Sequence, residues 1–413
     1  MLSGTYCQKN NFARILLSDT EIRELTEKKK GELTMKVVVA IDSLKGSLSS
    51  LEAGDAIRTG IQKVLPSAEV AVRPLADGGE GTVEALALGM GGRLEKVLVS
   101  DPLGRPVEAV YGILDESKTA IIEMSAAAGI TLVHGEERNP LNTTTYGVGQ
   151  MIRDAIEKGC RSFIVGIGGS ATNDGGVGML QALGYGFLNA QGTQVSFGAK
   201  GLSELVKITN DQVIPELKDC NFKIACDVTN PLCGDKGCSA IYGPQKGATP
   251  AMILNMDRWL DAYADLAAET FKNADKLYPG TGAAGGLGFA FLTFTNAVLE
   301  SGISIVLKET KLEDYVKDAD LVITGEGRLD GQTAMGKAPI GVANIAKRHG
   351  KKVVAFSGCV TEDAVECNQH GIDAFFPILR TVVTLDEAMN GENARKNMID
   401  TVEQVIRLIC AFS

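Results

Sequence analysis

Lys36-Val37-Val38-Val39-Ala40-Ile41-Asp42-Ser43-Leu44-Lys45-Gly46-Ser47 opens the segment whose order decides the fold. The apolar, β-branched run 36–41 is a strand of the buried type, and Asp42 begins the loop that leaves it. Ser49 and Glu52 form a capping box for a helix that places Ala53, Ala56, Ile57, Ile61 and Val64 on one face. Pro66 closes that helix, and 69–72 begins another strand. Strand, loop, helix, strand is the βαβ unit of a parallel sheet.

The far end of the chain repeats the pattern, with strands at 321–324, 353–356 and 374–376 and helices at 340–348 and through most of 385–410. Between the ends the texture changes. The runs 96–100, 107–111 and 119–123 read as antiparallel strands, the first two joined by the turn Asp101-Pro102-Leu103-Gly104. A helix at 147–158 and strands at 162–165 and 222–226 follow. The expected fold is α/β. A Rossmann/flavodoxin-like parallel-sheet domain comes from 35–75 plus 291–413, and a second, mixed α/β domain, 76–290, is inserted into it. Residues 1–34 read as an N-terminal extension, with a capping box at Ser18 and Glu21 and a charged helical pattern to Lys30.

Composition narrows the function. Of 413 residues, 45% are apolar and 22% charged, the balance of a globular protein with two or three domains. Lys+Arg 41 against Asp+Glu 51 gives a net charge of −10, which disfavours nucleic acid and membrane surfaces as partners. An anionic ligand must therefore meet local positive charge. Nine cysteines without a repeating spacing, and no uninterrupted apolar core in the first 34 residues, set the expectation of a reduced, cytoplasmic protein. The cysteines at 220, 226, 233 and 238 lack zinc-pair spacing, all three histidines are remote in sequence, and no G-x-S-x-G elbow occurs.

The 48 glycines are clustered, which points to sites built from backbone. Gly166-Ile167-Gly168-Gly169-Ser170-Ala171-Thr172-Asn173-Asp174-Gly175-Gly176-Val177-Gly178 lies between a strand and a helix, where free N–H groups meet anions. The acidic ribose partner of a dinucleotide site is missing about 20 positions on, where Asn189-Ala190-Gln191 stand. Asp174 inside the loop suits a magnesium ion or a hydroxyl proton better, and tight helix–strand packing is the plainer account of the glycines. Gly280 to Gly288 contains a literal G-x-G-x-x-G with no strand before it, and close helix packing explains it equally well. Gly325 to Thr333 leaves the strand at 321–324. Gly331 to Lys337 spells G-x-x-x-x-G-K, but Ala338 stands where a P-loop needs Ser or Thr. Asp77-Gly78-Gly79-Glu80 reads as a turn or a ligand loop, and Thr143-Thr144-Thr145 as a row of hydroxyls at a helix start, suited to an anion. Asp42 and Asp227 each end a strand, and Glu326 lies just beyond one, the positions where open α/β sheets bind ligands.

These stretches, with Asn139-Pro140-Leu141, Cys226-Asp227-Val228-Thr229-Asn230-Pro231-Leu232 and Gly243-Pro244-Gln245-Lys246-Gly247, resemble the bacterial glycerate kinase type-1 family collinearly from Met35 onward. Ile41 and Leu44 stand where that family usually has Pro and Phe, and Asp235 where Pro is common; the charged positions are kept. The resemblance implies two α/β domains with the active site in the cleft between them, and ATP- and magnesium-dependent phosphorylation of (R)-glycerate, usually to 2-phosphoglycerate. On that reading Lys45 and Arg328 meet the substrate's charge, and Asp77, Gly78, Gly79, Glu80, Thr143 and Thr144 contact the substrate. Amides of Gly168, Gly169, Ser170, Gly175 and Gly176 cradle ATP. Asp174 or Asp42 takes the hydroxyl proton, and Asp227 and Asp77 hold Mg2+. The alternatives are 3-phosphoglycerate as product, a sugar-acid sensor without catalysis, and an NAD-dependent reductase, which the missing ribose partner disfavours. Monomer and homodimer are both open.

Overall fold

The computed structural model describes residues 35–76 and 81–412. The extension 1–34 and the turn Asp77-Gly78-Gly79-Glu80 lie outside the described residues. The strands are β1 (Lys36–Ile41), β2 (Glu69–Val72), β3 (Arg93–Ser100), β4 (Pro106–Leu114), β5 (Thr119–Glu123), β6 (Ser162–Gly166), β7 (Gly186–Leu188), β8 (Lys207–Thr209), β9 (Asn221–Ala225), β10 (Ala297–Glu300), β11 (Leu321–Leu329), β12 (Lys352–Val360) and β13 (Ala374–Pro377).

Strands from the two chain ends form one five-stranded sheet in the order β13-β12-β11-β1-β2, parallel throughout. Val37 pairs with Leu321 on one side and with Val70 on the other. The order runs outward in opposite directions from β1 and β11, so the switch point of this sheet lies between them. The capping box at Ser49 and Glu52 is formed, and the helix Ser50–Gln62 begins there. Six strands form a second, mixed sheet, β10-β9-β6-β5-β4-β3, in which β3, β4 and β5 run antiparallel and β5, β6, β9 and β10 parallel.

Alternation along each strand sends residues to opposite faces. Val37, Val39, Ile41, Ile323 and Phe356 pack under the helices Ser50–Gln62 and Gly391–Phe412. On the other face Val38, Ala40 and Val322 share one apolar layer with Leu114, Ile121 and Ile164 of the second sheet. The helices Thr82–Gly89, Gly302–Glu309 and Ala338–Arg348 contribute to that shared layer. Tyr111, Ile122, Phe163 and Phe222 fill the far side of the second sheet, with the helices Tyr146–Glu157, Val177–Ala182 and Ala283–Phe294.

Two expectations need correction. The run after 324 is not a loop: β11 continues to Leu329, because Glu326 pairs with Ser357 and Arg328 with Cys359 along β12. The boundary expected at 290/291 also moves. Phe291 and Phe294 belong to the core of the second sheet, and β10 pairs with β9, so the chain returns to the five-stranded sheet only after Glu300.

The helix Ser50–Gln62 crosses the C-terminal helix at Gly60, where a methyl group would stand 2.7 Å from the Ile399 carbonyl oxygen and 2.8 Å from Val402 Cβ. Alanine is the better helix former by about 1 kcal/mol, but forcing this contact apart costs about 1–3 kcal/mol. Gly60→Ala should therefore lower the urea midpoint with helix content unchanged. A raised midpoint would contradict so close a crossing.

Candidate active site

The glycine-rich loop leaves β6 and is held from below by one carboxylate. Asp174 is 1% exposed. Its Oδ2 accepts from the Thr145 N–H at 2.8 Å, the Thr145 hydroxyl at 2.9 Å and the Gly178 N–H at 3.2 Å, and its Oδ1 from the Gly176 N–H at 3.1 Å. The Thr144 hydroxyl lies 3.5 Å from Oδ2. Burial pushes this carboxyl above the usual range, and the bonds from Thr145, Gly176 and Gly178 oppose that shift.

A lysine holds the other end of the loop. Lys246 is 2% exposed, and its ammonium donates to Ser170 Oγ at 2.8 Å and to the Thr172 carbonyl at 2.6 Å. The second glycine cluster packs against the same loop. Ala284, Gly285 and Gly286 take left-handed backbone, and the Gly175 N–H donates to the Gly285 carbonyl at 3.0 Å. A Cβ at Gly285 would meet the Thr172 carbonyl oxygen at 2.1 Å, so only glycine permits this approach.

What the braced loop presents is a cavity of about 560 Å³. Gly168, Gly169 and Ser170 line it, with Asp227 beyond the carboxyl end of β9, Arg138, Tyr242, Gln245 and Lys246. The N–H groups of Gly168 and Gly169 have no hydrogen-bond partner among the described residues, so they are available to an anion. Asp227 is exposed, and its Oδ1 accepts from the Gly302 N–H at 3.1 Å.

A second cavity, of about 370 Å³, opens beyond β1 and β2. Asp42, Ser43, Lys45, Gly46 and Ser47 form one wall, and Ala76, Gly81 and Glu84 another. Asp42 is 7% exposed, with Oδ1 accepting from the Ser43 N–H at 2.7 Å. Ser50 ties the walls together: its hydroxyl donates to the Ile41 carbonyl at 2.7 Å and accepts from the Leu75 N–H at 3.1 Å. Ala76 and Gly81, which flank the undescribed turn 77–80, both face this cavity.

Several sequence expectations change place. Thr143 donates to the Ala171 carbonyl, and Thr144 and Thr145 serve Asp174, so the threonine row does meet an anion, but that anion is the protein's own carboxylate. Thr143 and Thr144 are both 1% exposed and reach no ligand cavity. Gly175 and Gly176 donate their N–H groups to Gly285 and Asp174. Asp174 is enclosed as well and lines neither cavity; what it touches is the loop and the threonines that it braces. Arg328 is exposed on β11, its Nε 3.6 Å from Asp330, and lines neither cavity, although neighbouring Gly327 packs beside the Lys45 backbone.

Two residues escaped the sequence reading. Glu123 ends β5, is paired in register with Gly166, and accepts from the Val83 N–H at 2.9 Å. It thus links the start of the loop to the helix behind Gly81, and its signal was the one already used for Asp42 and Asp227. Lys246 lay within a recognised motif, with nothing in the sequence to mark it as buried. Among the described residues no group of three or more His, Cys, Asp or Glu is placed to hold a metal ion. No described helix is long and apolar enough to cross a membrane.

Residues 37–410 match the model of the glycerate kinase family. A glycerate kinase of Haemophilus influenzae is 48% identical over 375 residues, 91% of this chain and 99% of that protein. A glycerate 2-kinase of Escherichia coli is 49% identical over 86% of this chain and 94% of its own. A crystal structure from Salmonella typhimurium LT2 named for glycerate kinase 2 superposes with a TM-score of 0.85 at 47% identity, covering 92% of this chain and 99% of that one.

Asp174→Asn tests the brace. An amide must turn its NH2 toward donors at one of the two oxygen positions, leaving buried N–H groups unpaired at a cost of about 2–3 kcal/mol. The expected result is a lower urea midpoint together with weakened activity. Unchanged stability would contradict the bracing role.

Proposed function

The chain belongs to the glycerate kinase family, and from that membership we propose that it transfers the γ-phosphoryl group of ATP to O2 of (R)-glycerate, giving 2-phosphoglycerate and ADP. The observation that carries the reading is the pair of cavities at the carboxyl ends of the two sheets, one floored by free glycine amides and the other walled by Asp42 and Lys45. The 560 Å³ cavity takes the nucleotide, with Gly168, Gly169 and Ser170 at its phosphates. The 370 Å³ cavity takes glycerate, whose carboxylate meets Lys45 and whose hydroxyls are assigned to residues 77–80. The cleft between the sheets is the active site, and Glu123, bonded to the Val83 N–H, holds the helix Thr82–Gly89 on the mixed sheet.

In the transfer, the O2–H proton passes to Asp42 and O2 forms the new bond to the γ-phosphorus. The bond from that phosphorus to the β–γ bridging oxygen breaks, and ADP leaves with the electron pair. Asp227 suits a magnesium ion: it is a hard oxygen donor in the nucleotide cavity, and a single carboxylate fits an ion that keeps phosphate oxygens and water as its other ligands. Asp77 is the second carboxylate assigned to it. When bound, the ion neutralises charge on the phosphates. The protein's own residues position the two substrates and exclude competing water.

A phosphorus NMR time course with magnesium-ATP and (R)-glycerate tests this directly. A growing phosphomonoester signal beside ADP is expected, split into a doublet by the single C2 proton; a triplet from the C3 methylene would place the phosphate on O3. Asp42→Asn should reduce turnover by about 10²–10⁴-fold with the fold retained. Intact ATP with folded protein, or an Asp42→Asn variant at full rate, would overturn the mechanism.

A further inference from the structure

We infer that Lys246 is a positioning residue of the phosphoryl-transfer site: it fixes the nucleotide loop through Ser170 and Thr172 and presents its remaining N–H to the triphosphate. This rests on the reading that the 560 Å³ cavity holds the nucleotide.

Lysine is almost never fully buried unless paired, yet Lys246 is 2% exposed and has no carboxylate within ion-pair distance among the described residues. Its ammonium carries three donors, of which two are taken by the Ser170 hydroxyl and the Thr172 carbonyl. Lys246 is also among the residues that line the cavity, with Gly168 and Gly169, whose amides are free. A buried cation with one donor unspent, at the wall of a cavity with two more unspent donors, is complementary to a polyanion. Asp174 does not fill that part, because the threonines and loop amides already satisfy it.

The charged groups around Lys246 agree. Burial pulls the ammonium down to about 8, and Asp174 in the loop opposes that shift; Cys238, on the helix Cys238–Tyr242, stays a neutral thiol at that pH because burial raises it to about 11. Asp227 and Arg138, of opposite sign, line the same cavity. Lys246 is therefore protonated below about pH 8 and loses its charge, and its hold on an anion, as pH rises through that value.

The test measures binding of a non-hydrolysable ATP analogue with magnesium, by calorimetry from pH 6.5 to 9.5, for wild type, Lys246→Met and Lys246→Arg, each with a melting curve. Wild type should lose affinity above about pH 8. Lys246→Met should melt somewhat lower, since the Thr172 carbonyl loses its partner, bind at least about tenfold more weakly, and show no pH step near 8. Lys246→Arg should restore much of the affinity and keep it to pH 9.5, since a guanidinium stays charged. Methionine binding as tightly as lysine with the same pH step would overturn the inference and leave the nucleotide cavity standing. If Lys246→Met fails to fold, an arginine variant that loses affinity above pH 8 as wild type does overturns it alone. Wild type that binds no analogue would overturn the cavity assignment itself, and this inference with it.

Discussion

Asp174 takes all its hydrogen bonds from the loop that it sits beneath and from the threonines at the head of the helix Tyr146–Glu157. A carboxylate this deep is tolerated only when its lone pairs are met by donors, so the two chain segments, about thirty residues apart, must come together in one way. The consequence is a division of labour within one glycine run. Its second half, Gly175 to Gly178, spends its amides inward. In its first half the amides of Gly168 and Gly169 have no partner among the described residues. Lys246 pins the middle, at Ser170 and Thr172.

The rest of the architecture sets the two sheets against each other. A cavity opens beside Asp42, beyond β1 and β2, and the shared apolar layer fixes the five-stranded sheet against the mixed one. Glu123 crosses from the edge of one cavity to the helix behind the other. Side chains at these ends come from strands whose register is set by buried alternation, so their placement inherits the rigidity of the sheets.

Much of this was legible in sequence. Buried strands announced themselves as apolar runs, and the ends of β1, β2 and β5 fell where those runs stopped. The extension of β11 through Gly325-Glu326-Gly327-Arg328 did not, because those residues have little strand preference and are held by the ladder to β12 alone. The strand β10 was not read in the sequence; it is held by its pairing with β9. At the site, residue types pointed to an anion beside the threonines, but pattern cannot tell a ligand's charge from an internal one that returns about thirty residues later. Lys246 was hidden by its setting, since a lysine between Gln245 and Gly247 in a short turn reads as solvated until the fold buries it.

A crystal structure of the protein with magnesium and a non-hydrolysable ATP analogue bears most directly on the central division of the loop. The account predicts phosphate oxygens within about 3 Å of the Gly168 and Gly169 nitrogens, with Asp174 still bonded to Thr145, Gly176 and Gly178 and out of ligand contact. Phosphates seated on Gly175 and Gly176, or a ligand touching Asp174, would contradict it.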